Sequence, residues 1–180
     1  MAEVEFFIEA EGRDANEAFQ RAIAEATSID IYGGLATKTG FIQVHDNWRS
    51  LKALYSDGVN EVQELIAEVN EKPADEFDGT YVVKKLEEIE LAVWSRELRE
   101  PKSKHGTLKS LRYLAKRWRE ARNSCGQKTT PRDIAEMLLE DACVDGLNDV
   151  TGPAGCIDLT PKVAGKRKPK KFLFFGIASS

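Results

Sequence analysis

The segment KRKPKKFLFFGIASS (166–180) decides the fold, because a run of positive charge changes abruptly into a run of aromatic residues. Three phenylalanines on a solvated tail would favour aggregation, whereas a strand that is tied into a sheet stays ordered. We therefore predict that KFLFFGIAS (171–179) is a strand that belongs to the fold. A shorter strand, GCIDLT (155–160), is predicted behind a GPAG turn.

The first 46 residues have the pattern of a strand, a helix and a second strand. VEFFIEAEG (4–12) has consecutive apolar residues at its centre, which suits a strand that is covered on both faces. Asp14 and Glu17 have the spacing of a capping box, and the helix after them carries a stripe of small and apolar residues. GFIQV (40–44) is the predicted second strand.

Residues 47–145 have a helical pattern. Apolar residues recur at helical spacing in several runs, with an interruption predicted at Gly58 and a helix start predicted at Thr130 and Pro131. The sequence therefore predicts an α+β protein with a small, mainly antiparallel sheet built from both chain ends and one packed helix. Residues 1–46 and 146–180 form this core, and residues 47–145 are a large helical insertion.

Composition excludes several classes of protein. Apolar residues at 42% and charged residues at 31% are typical of a folded globular chain. The longest apolar stretch, FLFFGIA, is shorter than the roughly 20 residues that a membrane helix needs. MAEVEFFIEAEG lacks the positive region of a secretory signal, so we expect a cytoplasmic protein that does not contact a membrane.

The cysteines and histidines do not predict a cofactor or a metal. Cys125, Cys143 and Cys156 are widely spaced, and His45 and His105 are the two histidines of the chain. Zinc sites use ligands paired at short spacing, so reduced and mostly buried thiols are expected. His45 follows a predicted strand, but no partner for it as a catalytic base is evident.

Charge is distributed unevenly along the chain. Residues 1–100 hold 22 acidic and 10 basic residues, a net charge of −12, whereas residues 101–180 hold 8 acidic and 16 basic residues, a net charge of +8. This asymmetry indicates either a charged partner or two regions of the chain that attract each other.

Two basic clusters are the candidate binding residues. In TLKSLRYLAKRWREAR (107–122), basic residues recur at the spacing of the apolar stripe but are turned by about 100° around the axis. A second cluster occupies the predicted loop 162–171. The candidates for contact with nucleic acid or an acidic partner are Lys109, Arg112, Lys116, Arg117, Arg119, Lys166, Arg167, Lys168, Lys170 and Lys171. Tyr113 lies near the helical cluster as a stacking platform.

Two other surfaces stay open as alternatives. The loop YGGLATK (32–38) offers Gly33, Gly34, Thr37 and Lys38, which suit close approach to a phosphate, although a tight turn is the simpler interpretation. The acidic segment EKPADEFD (71–78) and the glutamates before it could imitate a phosphate backbone.

Four segments also resemble a known group of proteins. They are EGRDANEAFQRAI (11–23), YGGLATK (32–38), GPAGCIDL (152–159) and KFLFFGIASS (171–180). In these segments the chain resembles small uncharacterised proteins of actinobacterial phages and related mobile elements. The resemblance implies that FLFFGIAS pairs with GCIDL and that the basic loop connects the two strands. It carries no assigned activity.

The function that we expect is therefore binding rather than catalysis. A phage or mobile-element accessory protein would contact nucleic acid or an acidic host protein through the basic helix and the basic loop, in the cytoplasm of the host. The alternatives are a nucleotide-binding or nucleotide-processing protein built around residues 32–38, and an acidic inhibitor of a host enzyme. The sequence does not predict an oligomeric state.

Overall fold

The computed structural model describes residues 3–28, 33–45, 48–89, 103–140, 146–161 and 168–179. Within these ranges the strands are β1 (Glu3–Gly12), β2 (Phe41–His45), β3 (Ala154–Asp158) and β4 (Lys170–Ser179). The helices are α1 (Ala15–Ser28), α2 (Gly33–Ala36), α3 (Trp48–Glu71), α4 (Gly79–Glu88), α5 (Lys104–Ser124) and α6 (Pro131–Glu140), with a short 3₁₀ turn at Ala74–Glu76. The predicted α+β class is confirmed.

The four strands form one mixed sheet in the order β1-β4-β3-β2. β4 is antiparallel to both of its neighbours, so Phe174 lies opposite Ile8 on one side and Cys156 on the other. The expected pairing of the last strand with residues 155–159 is confirmed. β2 is parallel to β3, which the sequence did not predict.

Helices cover both faces of the sheet. Phe172 and Phe174 of β4 point to one face and join a cluster with α1 and α2. Leu173 and Phe175 point to the other face and join a larger cluster formed mainly by α3, α4, α5 and α6. Because successive side chains of a strand point to opposite faces, an uninterrupted apolar run is what a strand buried on both faces requires.

The prediction that Gly58 interrupts a helix was wrong, because α3 continues through it. A Cβ atom on Gly58 would lie 2.7 Å from Cζ3 of Trp118, so this glycine leaves space for an indole ring that packs against α3. Trp118 is itself fully buried. The glycine therefore permits a close contact between two helices and does not end one of them.

The two predicted helix starts are confirmed by their hydrogen bonds. The Asp14 carboxylate accepts a bond from the Glu17 amide at 2.8 Å. At α6, the Thr130 hydroxyl accepts from the Asp133 amide at 3.3 Å, and the Asp133 carboxylate accepts from the Thr130 amide at 2.8 Å. Each pair satisfies N–H groups that a helix end leaves without an intrahelical acceptor.

The helices of residues 48–140 share a core with the sheet. Leu111 of α5 and Leu138 of α6 belong to the same buried cluster as Ile157, Leu173 and Phe175. The division into residues 1–46 with 146–180 and residues 47–145 stays a prediction. None of the helices within the described ranges has the length and apolarity that a membrane span requires.

Candidate nucleic-acid interface

Helix α5 presents one apolar and one basic face. Ser103 caps its first turn by accepting a hydrogen bond from the Gly106 amide at 3.2 Å. Its buried residues follow helical spacing: Thr107, Leu108, Leu111, Leu114, Ala115 and Trp118. The helix packs mainly against α3 through this apolar face. Burial of that face leaves the opposite side of the helix in solvent.

The basic stripe, which we define as Lys109, Arg112, Lys116 and Arg119, lies on this outer side. All four side chains are exposed. Helical geometry places them within about 80° of one another around the axis and spreads them over about 15 Å along it. His105 and Asn123, also exposed, continue the same line at its two ends. The stripe therefore presents about one positive charge per 5 Å of helix.

The stripe makes no ion pair with the residues that the structure describes. Other exposed bases do pair with carboxylates, such as Arg13 with Glu17 at 2.9 Å and Arg132 with Glu136 at 3.2 Å. The acidic helix α3 does pack against α5, but on the face of α5 opposite to the stripe, through contacts such as the one between Gly58 and Trp118. Within the described ranges, the acidic half of the chain does not neutralise the stripe.

Lys104 has a different role from the stripe. Its amine donates to the carbonyl of Asn70 at 3.0 Å and to the carbonyl of Lys72. These carbonyls lie at the end of α3, where carbonyl groups have no partner within the helix. Lys104 thus joins the start of α5 to the end of α3.

Tyr113 and Arg117 flank the stripe. Tyr113 is 45% exposed and lies within one helical turn of Lys109, Arg112 and Lys116. Its hydroxyl accepts a hydrogen bond from Arg117 Nε at 3.1 Å, and Arg117 also pairs with Glu120 at 3.3 Å. The charge of Arg117, which was predicted to bind a partner, is therefore shared with a carboxylate.

Beyond Arg117, α5 forms one wall of a small open cleft with α6. The cleft has a volume of about 130 Å³ and is lined by Arg117, Glu120, Ala121, Ser124, Met137 and Glu140. Glutamates line it beside the single arginine, so it does not extend the positive surface.

The second basic cluster is only partly described. Lys162, Lys166 and Arg167 lie outside the described residues, as does most of the predicted loop 162–171. Lys168 and Lys170 are exposed and make no ion pair with described residues. Lys171 pairs with Glu9 of the neighbouring strand at 2.5 Å, and this carboxylate raises its pKa.

The two basic clusters lie on elements that pack against different neighbours. β4, which carries Lys170 and Lys171, pairs with β1 and β3 and packs against α1, α2 and α6. α5 packs mainly against α3. The stripe can thus be tested separately from the loop.

The glycine loop, residues 32–38, contains a close contact between a short helix and the sheet. Gly33 and Gly34 lie in helix α2, and a Cβ atom on Gly34 would lie 2.8 Å from the Cβ atom of Ala178 in β4. The Thr37 hydroxyl donates to the Gly34 carbonyl at 2.8 Å. These residues bring α2 close to the sheet.

Lys38 is buried, which the sequence did not reveal. It is 4% exposed, and its amine donates to the carbonyls of Asp149 and Val150 at 2.9 and 3.0 Å. Burial lowers the pKa of Lys38, and the carboxylate of Asp149 acts in the opposite direction. The amine thus holds the turn before β3 and is occupied by the fold.

The remaining candidate groups show no catalytic arrangement in the described part of the chain. Cys125 and Cys156 are free thiols, and burial raises the pKa of Cys156 to about 12, which keeps it protonated at neutral pH. Cys143 and Asp46 lie outside the described residues, and the side chain of His45 is not described either. The described ranges contain no group of three or more metal-binding side chains.

The acidic surface is solvated where it is described. Glu61, Glu64 and Glu68 of α3 are exposed, and so is most of residues 71–78. Glu68 accepts a hydrogen bond from the Tyr81 hydroxyl at 2.7 Å.

Comparison of the chain with protein-family models, with curated proteins and with solved structures found no match. The geometry of the described residues is therefore the basis for assigning a function.

Proposed function

We propose that the protein binds nucleic acid through the basic stripe on α5 and acts by binding rather than by catalysis. The observation that carries the proposal is the group of four exposed cations on one helix face, none of which has a carboxylate partner among the described residues. Cations in a row attract phosphates, and each neutralised phosphate releases counterions from the nucleic acid. Lys168 and Lys170 are further exposed cations, but they lie at and just before the start of β4 and not on α5.

The role of an accessory protein of a phage or mobile element belongs to the same proposal, and the resemblance of the terminal segments supports it. The nucleotide-binding alternative has weaker support, because the Lys38 amine already binds two backbone carbonyls. An acidic host protein is the competing partner for the stripe, and the binding test below separates it from nucleic acid.

The test is binding of a fluorescently labelled single strand and a labelled duplex, measured by anisotropy at several salt concentrations. The main variant changes Lys109, Arg112, Lys116 and Arg119 to Ala. A matched control variant changes four bases outside α5 to Ala, namely Arg13, Arg21, Lys84 and Lys85. It therefore loses as many positive charges as the main variant. Far-UV circular dichroism and thermal unfolding establish that both variants fold.

We expect the wild type and the control to bind with a steep salt dependence. Loss of the stripe should reduce the slope of log K against log salt by about 3, since each lost phosphate contact contributes about 0.7–0.9. Equal weakening of both variants would show that binding follows net charge and would refute the assignment to α5. Absence of binding at low salt would overturn the proposal and would leave the acidic protein as the candidate partner to be tested next.

A further inference from the structure

We infer that the ligand of the α5 surface is a single-stranded nucleic acid, one base of which stacks on Tyr113. This inference rests on the proposed function and specifies its substrate class. The basic stripe alone attracts any phosphate chain and does not distinguish a duplex from a single strand. The aromatic ring beside the stripe makes the distinction.

Tyr113 is unusual among the large apolar side chains of this protein. Among the described residues, the exposed large hydrophobic side chains are Tyr113, which is 45% exposed, and Val4, which is 48% exposed. Val4 lies on β1, whereas Tyr113 lies one helical turn from Lys109. An exposed ring therefore occurs where phosphates are expected.

The orientation of the ring is constrained by its neighbour. Arg117 Nε donates to the Tyr113 hydroxyl at 3.1 Å, and the centre of the guanidinium lies 5.5 Å from the ring centroid. Arg117 is in turn paired with Glu120. A ring that is held in this way loses little conformational entropy when a base stacks on it.

A stacking ring selects single strands because bases in a duplex are already paired and stacked. Unpaired bases expose their faces, and stacking on an aromatic side chain stabilises binding with little dependence on sequence. Phosphates on either side of the stacked base would contact the stripe. DNA and RNA single strands share this chemistry, so both belong in the test.

The experiment compares labelled strands of about 12 nucleotides, a length within the usual range of single-strand sites. The probes are oligothymidylate, oligouridylate, a DNA strand of the same length with abasic sites, and a duplex. The abasic strand carries the same phosphates without bases. The variants are Tyr113→Ala, Tyr113→Phe, and the stripe variant.

We expect Tyr113→Ala to weaken oligothymidylate binding by roughly 5- to 150-fold, which is the usual range for loss of one stacked base. The same variant should bind the abasic strand as the wild type does. Tyr113→Phe, which keeps the ring but loses the hydrogen bond from Arg117, should weaken oligothymidylate binding much less than Tyr113→Ala does. Comparison of thymidylate with uridylate shows which sugar is preferred.

Three results would overturn this inference: equal wild-type affinity for the abasic strand and oligothymidylate, no loss of affinity in Tyr113→Ala, or tighter binding of the duplex. In each case, binding that still depends on the stripe would leave the proposed function intact. If no binding depended on the stripe, both this inference and the proposed function would be overturned.

Discussion

Two glycines of this protein lie where an aromatic ring needs space. Gly155 of β3 lies opposite Phe175 of β4, and a Cβ atom on it would lie 2.3 Å from Cζ of that ring. Likewise, a Cβ atom on Gly58 of α3 would lie 2.7 Å from Cζ3 of Trp118 in α5. In both positions a large aromatic ring occupies the volume that a side chain would take.

The first prediction concerns Gly58. In an exposed helix interior, alanine in place of glycine stabilises by about 0.5–1 kcal/mol. Here we expect Gly58→Ala to destabilise the protein by about 1–3 kcal/mol, because the new methyl group overpacks the contact with Trp118. The measurement is the free energy of unfolding from urea denaturation.

The double variant Gly58→Ala with Trp118→Phe identifies the cause. The smaller ring leaves room for the methyl group, so Gly58→Ala should cost much less in this background than in the wild type. Equal costs in the two backgrounds would mean that the indole ring is not the reason for the glycine.

At the scale of single elements, carboxylates stabilise helix starts and turns. Hydrogen bonds from amides lower the pKa values of Glu17, Asp133 and Asp149, in each case with a backbone donor as the largest cause. A carboxylate with a lowered pKa in the folded protein stabilises the fold above its unfolded pKa. That contribution is lost as the pH falls through the folded pKa.

Asp133 provides the second prediction. We expect Asp133→Asn to lower the free energy of unfolding at neutral pH, because the charged acceptor at the start of α6 is lost. The difference from the wild type should begin to shrink as the pH falls below 3.8, the ordinary pKa of this carboxyl group, and should be lost as the pH falls through the lower pKa of the folded state, where the wild-type carboxylate becomes protonated. Urea denaturation of both proteins at a series of pH values measures this difference in the free energy of unfolding.

Glu136→Gln is the matched control, because it removes a carboxylate from the same helix one turn later. Glu136 takes part in a surface ion pair with Arg132 and caps no amide of the helix start. A pH dependence of the same size in both variants would contradict a specific role for the cap.

Local elements could be predicted because their determinants are close together in sequence. A few neighbouring residues are enough to indicate the helix starts at Asp14 and Thr130. The same is true of β4, which its run of apolar residues indicates. The parallel pairing of β2 with β3 and the contact of Gly58 with Trp118 join residues at least 60 positions apart. No local pattern specifies such pairs.

In the candidate site, too, local sequence patterns predict some features but not contacts between distant residues. Helical spacing alone predicted that the basic stripe would be exposed, and it is. The same reasoning did not separate Lys38 from solvated bases, because its acceptors lie on Asp149 and Val150, far away in sequence. The pairing of Arg117 with Glu120, in contrast, has the local i,i+3 spacing of a helical ion pair. Burial of a lysine depends on where remote carbonyls are placed, and the sequence around it carries no such information.

At the scale of the whole molecule, β4 connects the two buried clusters. Phe174 belongs to the cluster with α1, and Phe175 belongs to the cluster with α3, α5 and α6. We therefore expect the described layers to unfold together in one cooperative transition.

Phe174→Ala tests this expectation, since Trp48, Trp94 and Trp118 all lie within residues 47–145. We expect the variant to lose about 3–5 kcal/mol of stability. Tryptophan fluorescence should report the same shift in midpoint as far-UV circular dichroism, although Phe174 faces away from the helices of that region. An unchanged fluorescence midpoint would mean that residues 47–145 fold independently.

The sheet order also determines when the fold can be completed during synthesis. β1 ends at Gly12, and its partner β4 begins at Lys170. At a translation rate of about 5–20 residues per second, synthesis of the chain between the two strands takes roughly 8–32 s. During this interval Phe6, Phe7 and Ile8 lack their cross-strand neighbours. Slow codons between the two strands would therefore prolong the period in which these apolar side chains stay unpaired.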